Sequence, residues 1–190
     1  MEKINDYRSW LLQYFDLYKS SIFNGEIIDD LIEVKYVLEK AHSNGKKVII
    51  AGNGGSAAMA SHCAVDLTKN AGIRAVNFNE ADLITCFAND FGYDNWVYKA
   101  IEFYGDDGDV VVLISSSGDS MNMVNAAKIA YQMKMSVITF TGFSPSNLLR
   151  SEGIINFWVD SKAYNIVEMT HHIWILAIVD MIIGDAEYKA

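Results

Sequence analysis

Lys47 to Lys69 reads KVIIAGNGGSAAMASHCAVDLTK, an apolar run, a glycine turn and a small-residue helix in unbroken succession. Val48, Ile49 and Ile50 are β-branched with no polar residue among them, the pattern of a parallel strand covered on both faces. Gly52, Gly54 and Gly55 let the backbone turn sharply and approach a ligand closely, and Ser56 stands where a helix cap is expected. The first amides of the helix that follows have no partner within it and carry the positive end of its dipole, so the turn predicts an anion site. His62 and Asp66, one helical turn apart, share a face of that helix.

The glycine turn alone leaves alternatives open. Gly52, Gly54 and Ala57 also fit a G-x-G-x-x-A dinucleotide fingerprint, with Glu80 near the distance of a ribose-binding acid. A nucleotide P-loop is excluded, because Ala57 and Ala58 occupy the places of its lysine and hydroxyl residue. A tight turn that merely joins strand to helix is the plain structural alternative.

Working outward, a second apolar strand from Asp109 to Ile114 enters Ser115, Ser116, Ser117, Gly118, Asp119 and Ser120, and a helix from Met121 to Met133 follows. Strand, small polar loop and helix thus occur twice, which is how open α/β sheets build a ligand crevice at strand carboxyl ends. Several short hydroxyl donors at a helix start suit a phosphate dianion, with Asp119 expected to cap the helix rather than face the anion. Further strands are predicted at Arg74 to Phe78, Met135 to Phe140 and Ile154 to Val159. A helix is expected from Glu80 to Phe87, followed by a polar turn at Ala88 to Tyr93. Tyr7, Trp10, Leu11, Tyr14, Phe15 and Tyr18 recur at helical spacing, and a second helix runs from about Gly25 to His42. The last helix, about Tyr164 to Ile183, is apolar nearly all round and is expected to be buried against the sheet or in a subunit interface. The fold class is therefore α/β: one domain over residues 1–190, a three-layer sandwich on a parallel five-stranded sheet, with residues 1–45 as an N-terminal helical segment.

Composition agrees. A chain of 190 residues that is 51% hydrophobic can bury a full core as one domain. Asp180, Glu168, His171 and His172 interrupt or flank its longest apolar stretch, so no segment reads as a membrane span. The start MEKINDYRSW has no signal-peptide pattern, which makes a cytoplasmic protein the expectation. Cys63 and Cys86 read as reduced core thiols. The formal net charge of -9 argues against a nucleic-acid surface. It does not argue against a small phosphorylated ligand held by amides and hydroxyls.

With both loops in view, the chain resembles the sugar isomerase (SIS) family and, within it, the phosphoheptose isomerases. The likeness is carried by AGNGGSA at Ala51 to Ala57, HCAVDLT at His62 to Thr68, NDFGY at Asn89 to Tyr93, Gly108 to Val110, and ISSSGDS at Ile114 to Ser120. It implies a flavodoxin-like sheet and displaces the dinucleotide reading. It also implies that Ser56, Ser115, Ser116, Ser117 and Ser120, beside Gly54, hold a sugar phosphate while Asn53 and Asp90 face the sugar. It further implies a homotetramer with sites at subunit interfaces. The implied reaction is an aldose–ketose isomerisation through an ene-diol, interconverting sedoheptulose 7-phosphate and glycero-manno-heptose 7-phosphate for surface-polysaccharide precursors. The alternative is a catalytically silent relative that binds a sugar phosphate or a protein partner.

The chain departs from the family at the catalytic positions. Asp66 stands where the family has a glutamate base, one methylene longer. In one register, Val167 and Ile175 replace the glutamine and histidine of the final helix. A shift by one residue instead brings Glu168 to the glutamine position, with His171 or His172 one turn on. On that reading Asp66 is the general base, completed by His62 and by His172 or His171, and Glu168 contacts the substrate. No cofactor is required. His62, Asp66, Glu168 and His172 form two i, i+4 pairs of ligand type, so zinc is the metal to test there.

Overall fold

A computed structural model describes residues 6–23 and 25–188. Chain order runs α1 (Tyr7–Ile22), α2 (Ile28–Ser43), β1 (Val48–Gly52), α3 (Gly55–Lys69), β2 (Ala75–Val76), α4 (Ala81–Phe91) and α5 (Trp96–Tyr104). It continues with β3 (Val110–Ser115), α6 (Met121–Gln132), β4 (Ser136–Thr141), β5 (Ile155–Trp158) and α7 (Tyr164–Ile183). The strands form one parallel sheet in the order β2-β1-β3-β4-β5.

The strands are apolar on both faces because both are covered. Val48, Ile50, Val110, Val112, Ile114, Ile138 and Phe140 pack with α2, α3 and α7. The alternate residues Ile49, Ala51, Val111, Leu113 and Val137 pack with α5 and α6. Asp109, only 1% exposed, clips the amino ends of the two central strands together. Its carboxylate accepts from the Lys47 backbone at 3.0 Å, from Lys47 Nζ at 2.6 Å and from the Asp106 backbone at 2.9 Å. Burial opposes the charge on Lys47, but its hydrogen bonds to Asp106 and Asp109 outweigh it and raise the lysine pKa. This clip lies at the end of the sheet opposite the serine loops.

Several local expectations are corrected. The turn expected at Ala88 to Tyr93 is helical as far as Phe91, because α4 continues until Gly92 takes a φ of 81°. The helix α5 was not foreseen; Trp96, Val97, Ala100 and Ile101 bury one face of it. Cys86 is exposed, and only Cys63 is a core thiol. The N-terminal segment divides in two. Val34, Leu38 and Ala41 of α2 join the core, whereas α1 buries no residue and lies on α7. There Tyr18 Oη donates to the Asn165 carbonyl and Trp174 Nε1 to the Ile22 carbonyl. By length and composition α7 could cross a membrane, contrary to expectation. It is nonetheless packed into the sandwich through Ile166, Val167, His171, Trp174, Ile175, Ile178 and Val179.

Candidate functional site

The cavity of interest opens where the strand order reverses. The chain leaves β1 for a helix on one face of the sheet and leaves its neighbour β3 for a helix on the other, which parts the two loops. Asn53, Ser56, Ile114, Ser115, Ser116, Ser117, Ser120, Tyr164 and Glu168 line a space of about 190 Å3. Gly52 makes the close turn possible, since a Cβ there would stand 2.6 Å from the Ser56 Cβ and 2.8 Å from its backbone carbon. Gly54, at a φ of 56°, is the residue before α3. Ser56 is therefore inside the helix rather than its cap, 3% exposed and turned to the cavity.

In the second loop the hydroxyls divide their work. Ser115 Oγ accepts from the Gly118 amide at 3.2 Å and donates to Ser120 Oγ at 3.3 Å, so it holds the loop in shape. Ser117 Oγ accepts from the Asp119 amide at 3.2 Å, which leaves its own proton free. Ser116 Oγ is buried with no partner among the described residues. A buried hydroxyl without a partner costs free energy unless a ligand or water satisfies it, and Ser116 lines the cavity. Ser120, not Asp119, precedes α6 as its cap residue; Asp119 Oδ1 instead accepts from the Leu148 amide at 3.1 Å. The unbonded first amides of α6 open onto the same loop.

Asn53 is held from two sides. It exchanges amide hydrogen bonds with Asn122, at 3.0 and 2.8 Å, and its Oδ1 also accepts from Tyr93 Oη at 3.2 Å. One N–H of Asn53 remains for a ligand. Asp90 does not line the cavity. It is exposed near the end of α4, accepting from Asn89 Nδ2 at 2.8 Å, because the helix runs on past it and turns it outward. The NDFGY segment contributes Tyr93 instead. Asn122, Tyr93 and Tyr164 were missed in the sequence; Asn122 is 2% exposed in a helix whose Met123, Val124 and Ala126 are buried too.

Beyond the cavity, α3 and α7 meet along a polar seam. Glu168 lies against Gly55, where a Cβ would touch its carboxylate. One turn further along α7, His172 Nε2 is 2.9 Å from His62 Nδ1, and His62 Nε2 is 3.2 Å from Asp66 Oδ2. With Asp66 accepting, His62 carries its proton on Nε2, so Nδ1 accepts from His172. Burial lowers the His172 pKa and the neighbouring His62 lowers it further, with Asp66 opposing; the ring is neutral near pH 7. Asp66 also accepts from Asn70 Nδ2 at 3.2 Å.

The expected site is thus only partly assembled. Asp66 stands ten residues along α3 from Ser56, about 15 Å at the helical rise, and does not line the cavity. His171 is fully buried on the sheet side of α7, its Nε2 donating to the Thr141 carbonyl at 2.9 Å, so it packs in the core and does not line the cavity. Val167 and Ile175 are core residues too, and Glu168 lines the cavity. The four proposed metal ligands do not converge. Among the described residues no group of three or more His, Cys, Asp or Glu is placed to hold a metal, because the imidazoles and Asp66 bond to one another while Glu168 turns to Gly55.

Comparison with known proteins places the fold. Phosphoheptose isomerase of Buchnera aphidicola subsp. Schizaphis graminum is 37% identical over 129 residues, 65% of this chain and 66% of that protein. That of Hamiltonella defensa is 38% identical over 60% of this chain and 58% of its own length, so the chain spans less than two thirds of these relatives. That of Thermodesulfovibrio yellowstonii is 32% identical over 78% of this chain and 77% of its own. Among solved structures, phosphoheptose isomerase GmhA from Neisseria gonorrhoeae superposes with a TM-score of 0.83 at 26% identity, covering 93% of this chain and 98% of that one. The SIS domain family matches residues 22–142, which include the glycine turn, the α3 pair and the serine loop. The chain belongs to the SIS domain family.

Proposed function

We propose that this protein is a sugar-phosphate aldose–ketose isomerase that interconverts sedoheptulose 7-phosphate and glycero-manno-heptose 7-phosphate, a cytoplasmic step toward surface polysaccharide. The observation that carries the reading is the buried, unpartnered Ser116 hydroxyl in a serine-lined cavity at the end of β3. A phosphoryl group there would meet Ser116, Ser117, Ser120 and Ser56 and the first amides of α6. The relatives named phosphoheptose isomerase support the choice of sugar. The carbon chain would then run from the cavity along the α3–α7 seam, past the free N–H of Asn53 and past Glu168. His172 stands one turn beyond Glu168 on α7 and faces the seam. Being neutral, it can take the proton beside the carbonyl, and the hydrogen bond from His172 to His62 and on to Asp66 stabilises the imidazolium that forms. Asp66 is on this account the carboxylate end of a relay rather than the group that meets the carbon.

Exposed Trp10, Leu11 and Phe15 on α1, with Met169 and Ile173 on α7, support self-association, a homotetramer being the form proposed. A silent sugar-phosphate-binding protein is the second reading, favoured by the separation of Asp66 from the cavity. Calorimetry and turnover decide between them, run with and without added zinc. Binding of sedoheptulose 7-phosphate with conversion to the aldose supports the isomerase. Binding without conversion supports the second reading, and binding of NAD but no sugar phosphate refutes both.

A further inference from the structure

We propose that Glu168 is a charge filter, admitting sugar phosphates with one anionic end and rejecting those with a second anion on the chain; this rests on the phosphate reading above. Among the described residues Glu168 is the one acidic residue lining the cavity, and no Lys, Arg or His lines it. No hydrogen bond or ion pair from the described residues holds the carboxylate. It lies against Gly55, the first residue of α3, so close that any side chain there would collide with it. A carboxylate at a helix N-terminus answers that end's positive potential. The glycine turn is therefore already supplied with an anion by the protein itself. The phosphoryl group is left the other helix start, α6, where Ser116 lacks a partner and Ser117 and Ser120 have protons to give.

What then faces Glu168 is the remainder of the ligand. Hydroxyls donate to a carboxylate, and an ammonium pairs with it. A second phosphate or a carboxylate is repelled, and the cavity lining has no cation to offset the repulsion. Glutamine at this position would accept the same hydroxyls without the repulsion. The charge of Glu168, rather than its shape, sets this selectivity.

Calorimetry with sedoheptulose 7-phosphate, sedoheptulose 1,7-bisphosphate and 6-phosphogluconate tests the inference on wild type and on the isosteric Glu168→Gln, with Glu168→Ser as a second variant. Wild type is expected to bind the monophosphate roughly tenfold or more tightly than either doubly anionic ligand, and both variants to narrow that gap by about tenfold. An unchanged gap in folded variants that still bind the monophosphate overturns the filter and leaves the phosphate reading standing. Failure of wild type to bind any of the three overturns both.

Discussion

His171 makes the stability of this fold depend on pH in a way that can be calculated. Burial is the larger influence and pushes its pKa down, the hydrogen bond to the Thr141 carbonyl opposes it, and the result is about 4 against 6.5 in the unfolded chain. Between those values the unfolded state binds a proton that the folded state refuses, so stability is complete above about pH 6.5 and falls as pH drops toward 4. At pH 5 the linkage amounts to about 2 kcal/mol, and at pH 7.5 to nearly nothing. Replacing His171 with Gln keeps an N–H for the Thr141 carbonyl and removes the titration. Urea unfolding of both proteins at pH 7.5 and pH 5, at one protomer concentration, isolates the effect because every other titrating group is shared. Wild type should lose about 2 kcal/mol more than the variant on acidification, about 1 M in urea midpoint at a slope of about 2 kcal/mol per M. Equal losses would show that His171 is not a neutral core residue, and would return it to the list of proton-transfer candidates.

Other substitutions test other parts of the account. Ser116→Ala should weaken binding of sedoheptulose 7-phosphate roughly 10- to 100-fold with little change in unfolding midpoint, since its hydroxyl serves no protein partner. Asp66→Asn should lower turnover about 100-fold or more while calorimetric affinity for the same ligand is kept; a parallel loss of both would place Asp66 in binding. Gly52→Ala should cost about 1–3 kcal/mol in urea unfolding, because the new methyl meets the Ser56 backbone, which cannot rotate away. Turnover should decline on the acid side as His172 gains a proton, with a midpoint below the ordinary histidine value; a midpoint above it would refute the neutral ring.

The sheet was legible because fully covered strands leave an unmistakable trace: Val48 to Ile50 and Val110 to Ile114 have no polar residue, and each runs into small residues that a loop at a crevice requires. Both loops that line the cavity followed from that. The last helix was read with its bounds, Tyr164 to Ile183, because an apolar run of that length admits little else. What failed was direction. Asp90 is a polar residue near the right loop, yet the continuation of α4 turns it elsewhere, and Asp119, expected to cap α6, bonds the Leu148 amide instead. His171 and His172 are neighbours whose roles are opposite, since adjacent helical positions differ by about 100° and one faces Thr141 while the other faces His62. Only the packing of α7 on α3 and the sheet distinguishes them. The Asn53–Asn122 pair joins residues far apart in sequence, so nothing local paired them.

The central claim, that this cavity and seam isomerise a sugar phosphate, is tested most directly by incubating the wild-type protein with sedoheptulose 7-phosphate in deuterated water and following the ketose by proton NMR. The account predicts loss of one C1 proton signal as deuterium enters, appearance of aldose signals, and both changes slowed about 100-fold or more with Asp66→Asn at saturating ligand. Retention of full C1 proton intensity by wild type, with the ligand demonstrably bound and with zinc present or absent, would contradict it.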